Sequence, residues 1–250
     1  MKSVLMVGAH PDDETMLTGG ILALLSAYGV GVHILCATRG EGGEMGEPPV
    51  CERSELGAVR EQELYCAAEQ LGATSVYILD YVDPLVGPDE ELYPFEADFD
   101  TLVGEIRRVI RQVEAEVVLA HGSDGEYGHP AHRLVHEAAK AAVEREGSGI
   151  LFYSFAAKVP GVDDQLWNDS NPAHLAVDIG PWLDAKAEAA RCHVSQHALF
   201  QRHHPGETFE QLLRKTEAVH RHLPPVEGVS PRDAFSDLLL ATGAWIPEFS

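Results

Sequence analysis

Imidazoles and carboxylates crowd together twice in this chain. The first cluster is Ala9-His10-Pro11-Asp12-Asp13-Glu14, directly behind the apolar run Val4 to Val7. The second runs from His121 to His132 and holds His121, Asp124, Glu126, Tyr127, His129 and His132. Two imidazoles and one carboxylate, with a position left for water, form a standard catalytic zinc set, and non-haem iron accepts similar ligands. A further carboxylate that stays off the ion can take a proton from that water. His129 and His132 are three residues apart at the entry to a helix, so both can point to one face, and His136 follows one turn later. Spacing alone does not say which of these residues takes which role. The plain alternative is that Asp12, Asp13 and Glu14 cap and charge-complement a helix N-terminus. One acid suffices for that, and here three follow a histidine.

The elements that must position these clusters read as alternating strands and helices. Val4 to Val7 suits a strand buried on both faces of a parallel sheet, and Pro11 ends it at Ala9 or His10. Periodicity predicts a helix over Glu14 to Tyr28, a strand over Val30 to Ala37, a helix over Glu52 to Leu71 and a strand over Ser75 to Leu79. Helix Leu102 to Val113, strand Glu116 to Ala120, a helix from Ala131 to Val143 and strands Ile150 to Phe155 and Leu175 to Ile179 follow. Trp182 to Phe200, Thr208 to His222 and Pro231 to Leu240 read as helical. The pattern predicts a doubly wound, mostly parallel α/β sheet flanked by helices, Rossmann-like, in a single domain over residues 1–250. Both clusters then lie at carboxyl ends of strands, where such sheets bind ligands, and can converge from distant parts of the chain. No G-x-G-x-x-G follows the first strand, which argues against a nicotinamide or flavin enzyme. Thr38 to Pro49 form a long loop rich in Gly and Glu at that same edge. His193, His197, His203 and His204 have helical spacing but no strand end to present them, so they read as surface or helix-capping residues.

The chain of 250 residues carries 40 acidic against 18 basic side chains, a formal charge of −22. Such a surface repels phosphate backbones and anionic bilayers, so neither nucleic acid nor a membrane is an expected partner. No run of 18 apolar residues is present, and the N-terminus does not read as a signal peptide. Cys36, Cys51, Cys66 and Cys192 show no C-x-x-C pair, which fits reduced thiols of a cytoplasmic protein. A homo-oligomer is compatible with all of this.

The residues His10-Pro11-Asp12-Asp13-Glu14 and Gly128-His129-Pro130-Ala131-His132 resemble those of the PIG-L/LmbE-like zinc-dependent N-deacetylases. Thr38-Arg39-Gly40-Glu41, the stretch from Arg60 to Gly72 and that from Lys186 to Gln196 are also similar to family segments. The likeness covers roughly residues 1–200, leaving 201–250 as a helical C-terminal extension without a counterpart. The resemblance implies an enzyme that removes acetyl from an N-acetyl amino sugar or its conjugate. It implies Zn2+ (or Fe2+) held by His10, Asp13 and His132, with Asp12 as general base. His129 would be a general acid or electrostatic stabiliser, Tyr127 would help an oxyanion, and Arg60 and Asp83 would hold substrate hydroxyls. Two departures stand out. Ala131 replaces an Asp that many members carry between the two histidines, and Val82 replaces an Arg of the mycothiol branch. Substrate identity is therefore not copied from that branch. A deacylase of a non-sugar amide would use the same machinery. A metal- or sugar-binding protein without turnover would have no use for an unliganded Asp12.

Overall fold

Short strands of β-branched and aliphatic residues, each stopped by a polar turn, build the centre of the molecule. The computed structural model describes residues 1–147, 149–163, 165–203, 206–228 and 230–248, and of these the side chains of all but 203, 209 and 210. β1 (Ser3–Gly8) is buried along its length and pairs in parallel with β2 (Gly31–Thr38). Between them lie α1 (Asp13–Met16) and α2 (Gly19–Ala27). α3 (Leu56–Gln70) leads to β3 (Ser75–Tyr81), and α4 (Phe99–Gln112) leads back across the sheet to β4 (Val117–Ala120). α5 (Pro130–Glu146) and β5 (Leu151–Ser154) follow, then the short pair β6 (Ala157–Lys158) and β7 (Asn168–Pro172). The chain continues through β8 (Leu175–Asp178), α6 (Leu183–Cys192), α7 (His197–His203), α8 (Phe209–Leu212), β9 (Thr216–Leu223) and α9 (Ala234–Ala241).

The seven-stranded sheet has the order β3-β2-β1-β4-β5-β9-β8. β1 to β5 are parallel, and β9 and β8 run antiparallel at one side. Each face carries its own apolar layer: Ile21, Leu24, Leu64, Leu71 and Ala189 lie on one side, Ile106, Ile110, Val135 and Ala139 on the other. The fold is therefore the mostly parallel, helix-flanked sheet that the strand–helix alternation predicts. From β1 the sheet grows one way through β2 and the other way through β4, so the gap between their carboxyl ends is the topological switch point.

Three expectations need correction. The helix expected over Glu14 to Tyr28 is broken at Leu17–Thr18. α2 restarts at Gly19-Gly20, and position 20 needs glycine because a Cβ there would lie 2.5 Å from Ile179. Thr208 to His222 is not one helix, and the C-terminal fifty residues are not a purely helical extension. Thr216–Leu223 is a strand inside the sheet. Its alternation sends Glu217 to one face, where it accepts from Lys186 Nζ (2.7 Å) and from the amides of Gly20 and Ile21 (2.9 and 2.7 Å). That carboxylate satisfies the first N–H groups of α2 and complements its dipole. Removing either charge of the buried Lys186–Glu217 pair would cost about 3–5 kcal/mol. Finally, the cysteines are not four reduced thiols. Cys66 on α3 and Cys192 at the end of α6 form a disulfide, while Cys36 and Cys51 are free. Packing of two helices distant in sequence made this pair, which spacing alone does not announce. Cysteine usage therefore gives no support for a reducing compartment. Among the described residues, no helix is long and apolar enough to cross a membrane.

Candidate active site

The two clusters meet at the switch point between β1 and β4. Asp13, in the first turn of α1, turns its carboxylate back so that Oδ2 accepts from the amides of Ala9 and His10, both at 2.8 Å. Its Oδ1 lies 3.4 Å from His132 Nε2. His132, on the first turn of α5, faces His10 with Nε2 and Nδ1 3.3 Å apart. The outer nitrogen of each ring donates to a carboxylate: His10 Nε2 to Asp83 at 3.1 Å, His132 Nδ1 to Glu126 at 2.6 Å. Those bonds put the ring protons outside, so two imidazole lone pairs and a carboxylate oxygen converge on one point. That is the donor set and outer-partner arrangement of a divalent metal site. The ring nitrogens of His10, His129 and His132 also lie within 4.8 Å of one another, as do the donor atoms of Asp13, His121 and His132.

Beneath these side chains sits His121, fully buried at the end of β4. It donates to Asp13 Oδ2 (3.1 Å) and to Glu126 Oε2 (3.0 Å). Although burial acts to lower it, the two carboxylates push its pKa up to about 10. Glu126 takes a left-handed conformation, φ 58°, that aims its carboxylate at both His121 and His132. Asn168 of β7 fixes that turn, accepting from the Glu126 amide and donating to Oε1, each at 3.0 Å. The fit needs glycine at 122, since a Cβ there would lie 2.1 Å from the Asn168 amide. The sequence reading assigned no role to His121, Glu126 or Asn168. His121 did carry a usable signal, because it follows β4 as His10 follows β1. Asn168 carried none.

Asp12 differs from its neighbours. Its side chain is 16% exposed and no imidazole holds it. Arg60 donates to Asp12 Oδ2 at 3.1 Å. Burial pushes the Asp12 carboxyl up to about 7, with Arg60 opposing and Asp13 adding to the rise. Arg60 itself is 3% exposed, and its amino groups also go to Gly40 O (2.9 Å) and Pro11 O (2.5 Å). The structure therefore turns Arg60 inward, towards Asp12 and the loop at Gly40, and gives it no open face for a sugar hydroxyl. Asp83 spends Oδ1 on His10. His129, the N-cap of α5, accepts from the Ala131 amide at Nδ1 (3.2 Å), which leaves the proton on Nε2. Burial first, then His132 and His10, lower its pKa to about 3. Tyr127 stands at the mouth, 54% exposed, its ring 5.7 Å from His129 and 5.6 Å from His132.

Of the two readings open for His193, surface or helix-capping, the structure bears out the second: it is the C-cap of α6 and not a surface residue. It is fully buried, and Nε2 donates to Glu14 Oε1 at 2.7 Å. His197 bonds Ala190 O at 3.0 Å. His204 and the side chain of His203 lie outside the described residues.

Residues 5–143 match the family model described as PIG-L, GlcNAc-PI de-N-acetylase. The chain belongs to this deacetylase family. It is 31% identical over 237 residues to a 1D-myo-inositol 2-acetamido-2-deoxy-alpha-D-glucopyranoside deacetylase of Acidothermus cellulolyticus, covering 80% of this chain and 81% of the relative. The enzyme of the same name from Rhodococcus jostii is 32% identical over 238 residues, covering 78% and 82%. Among solved structures, a 4-carboxy-2-hydroxymuconate hydratase of Pseudomonas putida superposes with a TM-score of 0.64 at 26% identity, covering 91% of this chain and 98% of that one. The N,N'-diacetylchitobiose deacetylase of Pyrococcus horikoshii shares the fold, with a TM-score of 0.61 at 22% identity, covering 88% and 84%.

Proposed function

We propose that this protein is a metal-dependent amidohydrolase that removes acetyl from an N-acetyl amino sugar or a conjugate of one. The observation that carries the reading is Asp12, a mostly buried carboxylate next in the chain to an aspartate whose free electron pairs converge with those of two imidazoles. His10, Asp13 and His132 would hold the ion, with zinc the ion we favour and Fe2+ the alternative. When bound, such an ion polarises the acetamide carbonyl and makes water easier to deprotonate. Asp12 takes the proton of the attacking water as oxygen bonds to the carbonyl carbon, and a group near neutral pKa suits that task. His129 Nε2–H and the Tyr127 hydroxyl supply hydrogen bonds to the oxygen on which charge develops. Because His129 is neutral, it serves there as a hydrogen-bond donor and not as the source of a proton. Asp12, now protonated, returns its proton to the nitrogen, the C–N bond breaks, and acetate and the amine leave.

The hydratase likeness suggests a second chemistry on the same frame, water addition to an unsaturated acid. An anionic substrate needs a cation to meet it, and Arg60 is committed to Asp12, Pro11 and Gly40. That favours the neutral amide. Amine release from a panel of N-acetyl sugars and non-sugar amides, with and without chelator, tests the reading. Asp12→Asn should retain metal and lose about 10²- to 10⁴-fold in rate. Near-normal turnover in that variant would end the assignment.

A further inference from the structure

Asp12 sits in a backbone conformation that a non-glycine residue rarely adopts, φ 113° and ψ −25°. Strained residues persist only where their surroundings hold them. Two groups hold this one. On one side Arg60 grips the preceding carbonyl, Pro11 O, and the Asp12 carboxylate. On the other, Glu14 Oε2 accepts the Asp12 N–H at 2.9 Å. Glu14 is buried and is fixed through its second oxygen, which accepts from Thr15 Oγ1 (2.5 Å) and His193 Nε2 (2.7 Å). The ring of His193 is fully buried, its Nδ1 has no hydrogen-bond partner among the described residues, and Nε2 makes its short bond to Glu14, with Thr15 Oγ1 farther off at 3.4 Å. His193 caps the end of α6. That end is anchored to α3 by the Cys66–Cys192 disulfide and by Glu63, which accepts from Ser195 N (2.8 Å) and Oγ (2.6 Å). α3 is also the helix that carries Arg60. Both grips on Asp12 thus come from one braced pair of helices, and neither contact passes through His10, Asp13 or His132.

We propose that Glu14 and His193 are positioning residues, which act through the Asp12 backbone to aim its carboxylate. The inference rests on the reading of Asp12 as the base. Without the His193 bond, Glu14 is free to turn, the Asp12 N–H loses its acceptor, and the left-handed backbone relaxes. A displacement of about 1 Å at a catalytic group can cost on the order of 10²-fold in rate.

The test uses the metal-loaded full chain, with N-acetylglucosaminyl-inositol as probe. His193→Asn, too short to reach Glu14, should lower kcat by about 10- to 100-fold with KM within about twofold and metal content unchanged. His193→Gln, whose amide nitrogen falls near Nε2, should recover most of that loss. In the Asp12→Asn background His193→Asn should cause almost no further loss, because its effect runs through the carboxylate already removed. Should His193→Asn not fold, Glu14→Gln replaces it in the same cycle, since a single amide oxygen can accept only one of the two bonds. An equal fold-loss in both backgrounds, an unchanged kcat, no recovery with Gln, or a loss fully explained by missing metal would overturn the proposal. Near-normal turnover of Asp12→Asn alone would instead sink the base reading. A crystal structure of His193→Asn gives a separate readout: residue 12 leaves the left-handed region if the inference holds and keeps its φ if it does not.

Discussion

Two groups of four histidines face each other's neighbourhoods across β4 and β5, and they have opposite characters. His10, His121, His129 and His132 crowd the switch point. His136, His174, His220 and His222 form a ladder from α5 along β9. Ring centroids in the ladder are 4.2 Å apart for His174 and His220, 4.6 Å for His220 and His222, and 4.9 Å for His222 and His136. The difference lies in what the rings touch. In the first group Asp13, Asp83 and Glu126 orient His10, His121 and His132, while His129 accepts from the Ala131 amide. In the ladder the hydrogen-bond partners are neutral: Pro172 O for His220, His121 O for His136, Ser154 Oγ for His222 and the Arg221 amide for His174, and the nearest carboxylate to His136, that of the exposed Glu137, is 3.9 Å away. Burial then holds all four ladder rings below their ordinary pKa, with His174 down to about 4 and His222 to about 2. A carboxylate behind a buried imidazole fixes its ring proton and offsets its charge, and without one burial favours the neutral ring.

The largest expected break in this contrast is His132→Ala. Metal content by atomic emission should fall from near one per chain to a small fraction, and hydrolysis should drop to background. His222→Gln, one rung of the ladder, should leave metal content unchanged. Full occupancy in His132→Ala would move the ligand role to His129. A smaller effect is expected from Glu126→Gln, which keeps the shape and removes the charge behind His132 and His121. Metal affinity measured against a competing chelator should weaken about 10- to 100-fold, and unchanged affinity would show that Glu126 only packs.

The smallest effect concerns stability against acid. The folded pKa of His222 lies below the unfolded value of about 6.5, so below pH 6.5 the unfolded chain binds a proton that the folded chain refuses. Stability therefore falls as pH drops from about 6.5, and the loss continues towards the folded pKa. For His222 this amounts to about 1–2 kcal/mol between pH 6.5 and 5. Urea unfolding of His222→Gln at both pH values should show a flatter pH dependence by that amount. An identical slope would remove the ladder from the account of acid sensitivity.

Much of the site was readable from residue order. His10 to Asp13 announce themselves because Pro11 ends a strand and the acids follow at once. His129 and His132 are legible because helical spacing places them on one face. Glu14 received no role of its own and His193 only that of a surface or helix-capping residue, since their bond joins positions 179 residues apart. A substrate-facing role for Arg60 came from the family resemblance and not from residue order. Burial against Pro11, Gly40 and Asp12 gave it another task. β9 was misread because a strand inside a sheet is defined by its neighbours β5 and β8, and its eight residues carry little pattern of their own.

The order of residues by itself determined the strand–helix alternation, the two polar turns at strand ends and hence the crevice where they meet, because period, turn chemistry and chain direction are local properties. Tertiary structure alone decided which buried histidines gain a carboxylate, where Arg60 points, that Cys66 reaches Cys192, and what holds Asp12 in its left-handed turn. Each of those depends on groups brought together from far along the chain, and a hydrogen bond or a desolvated charge has no signature until both partners are in place.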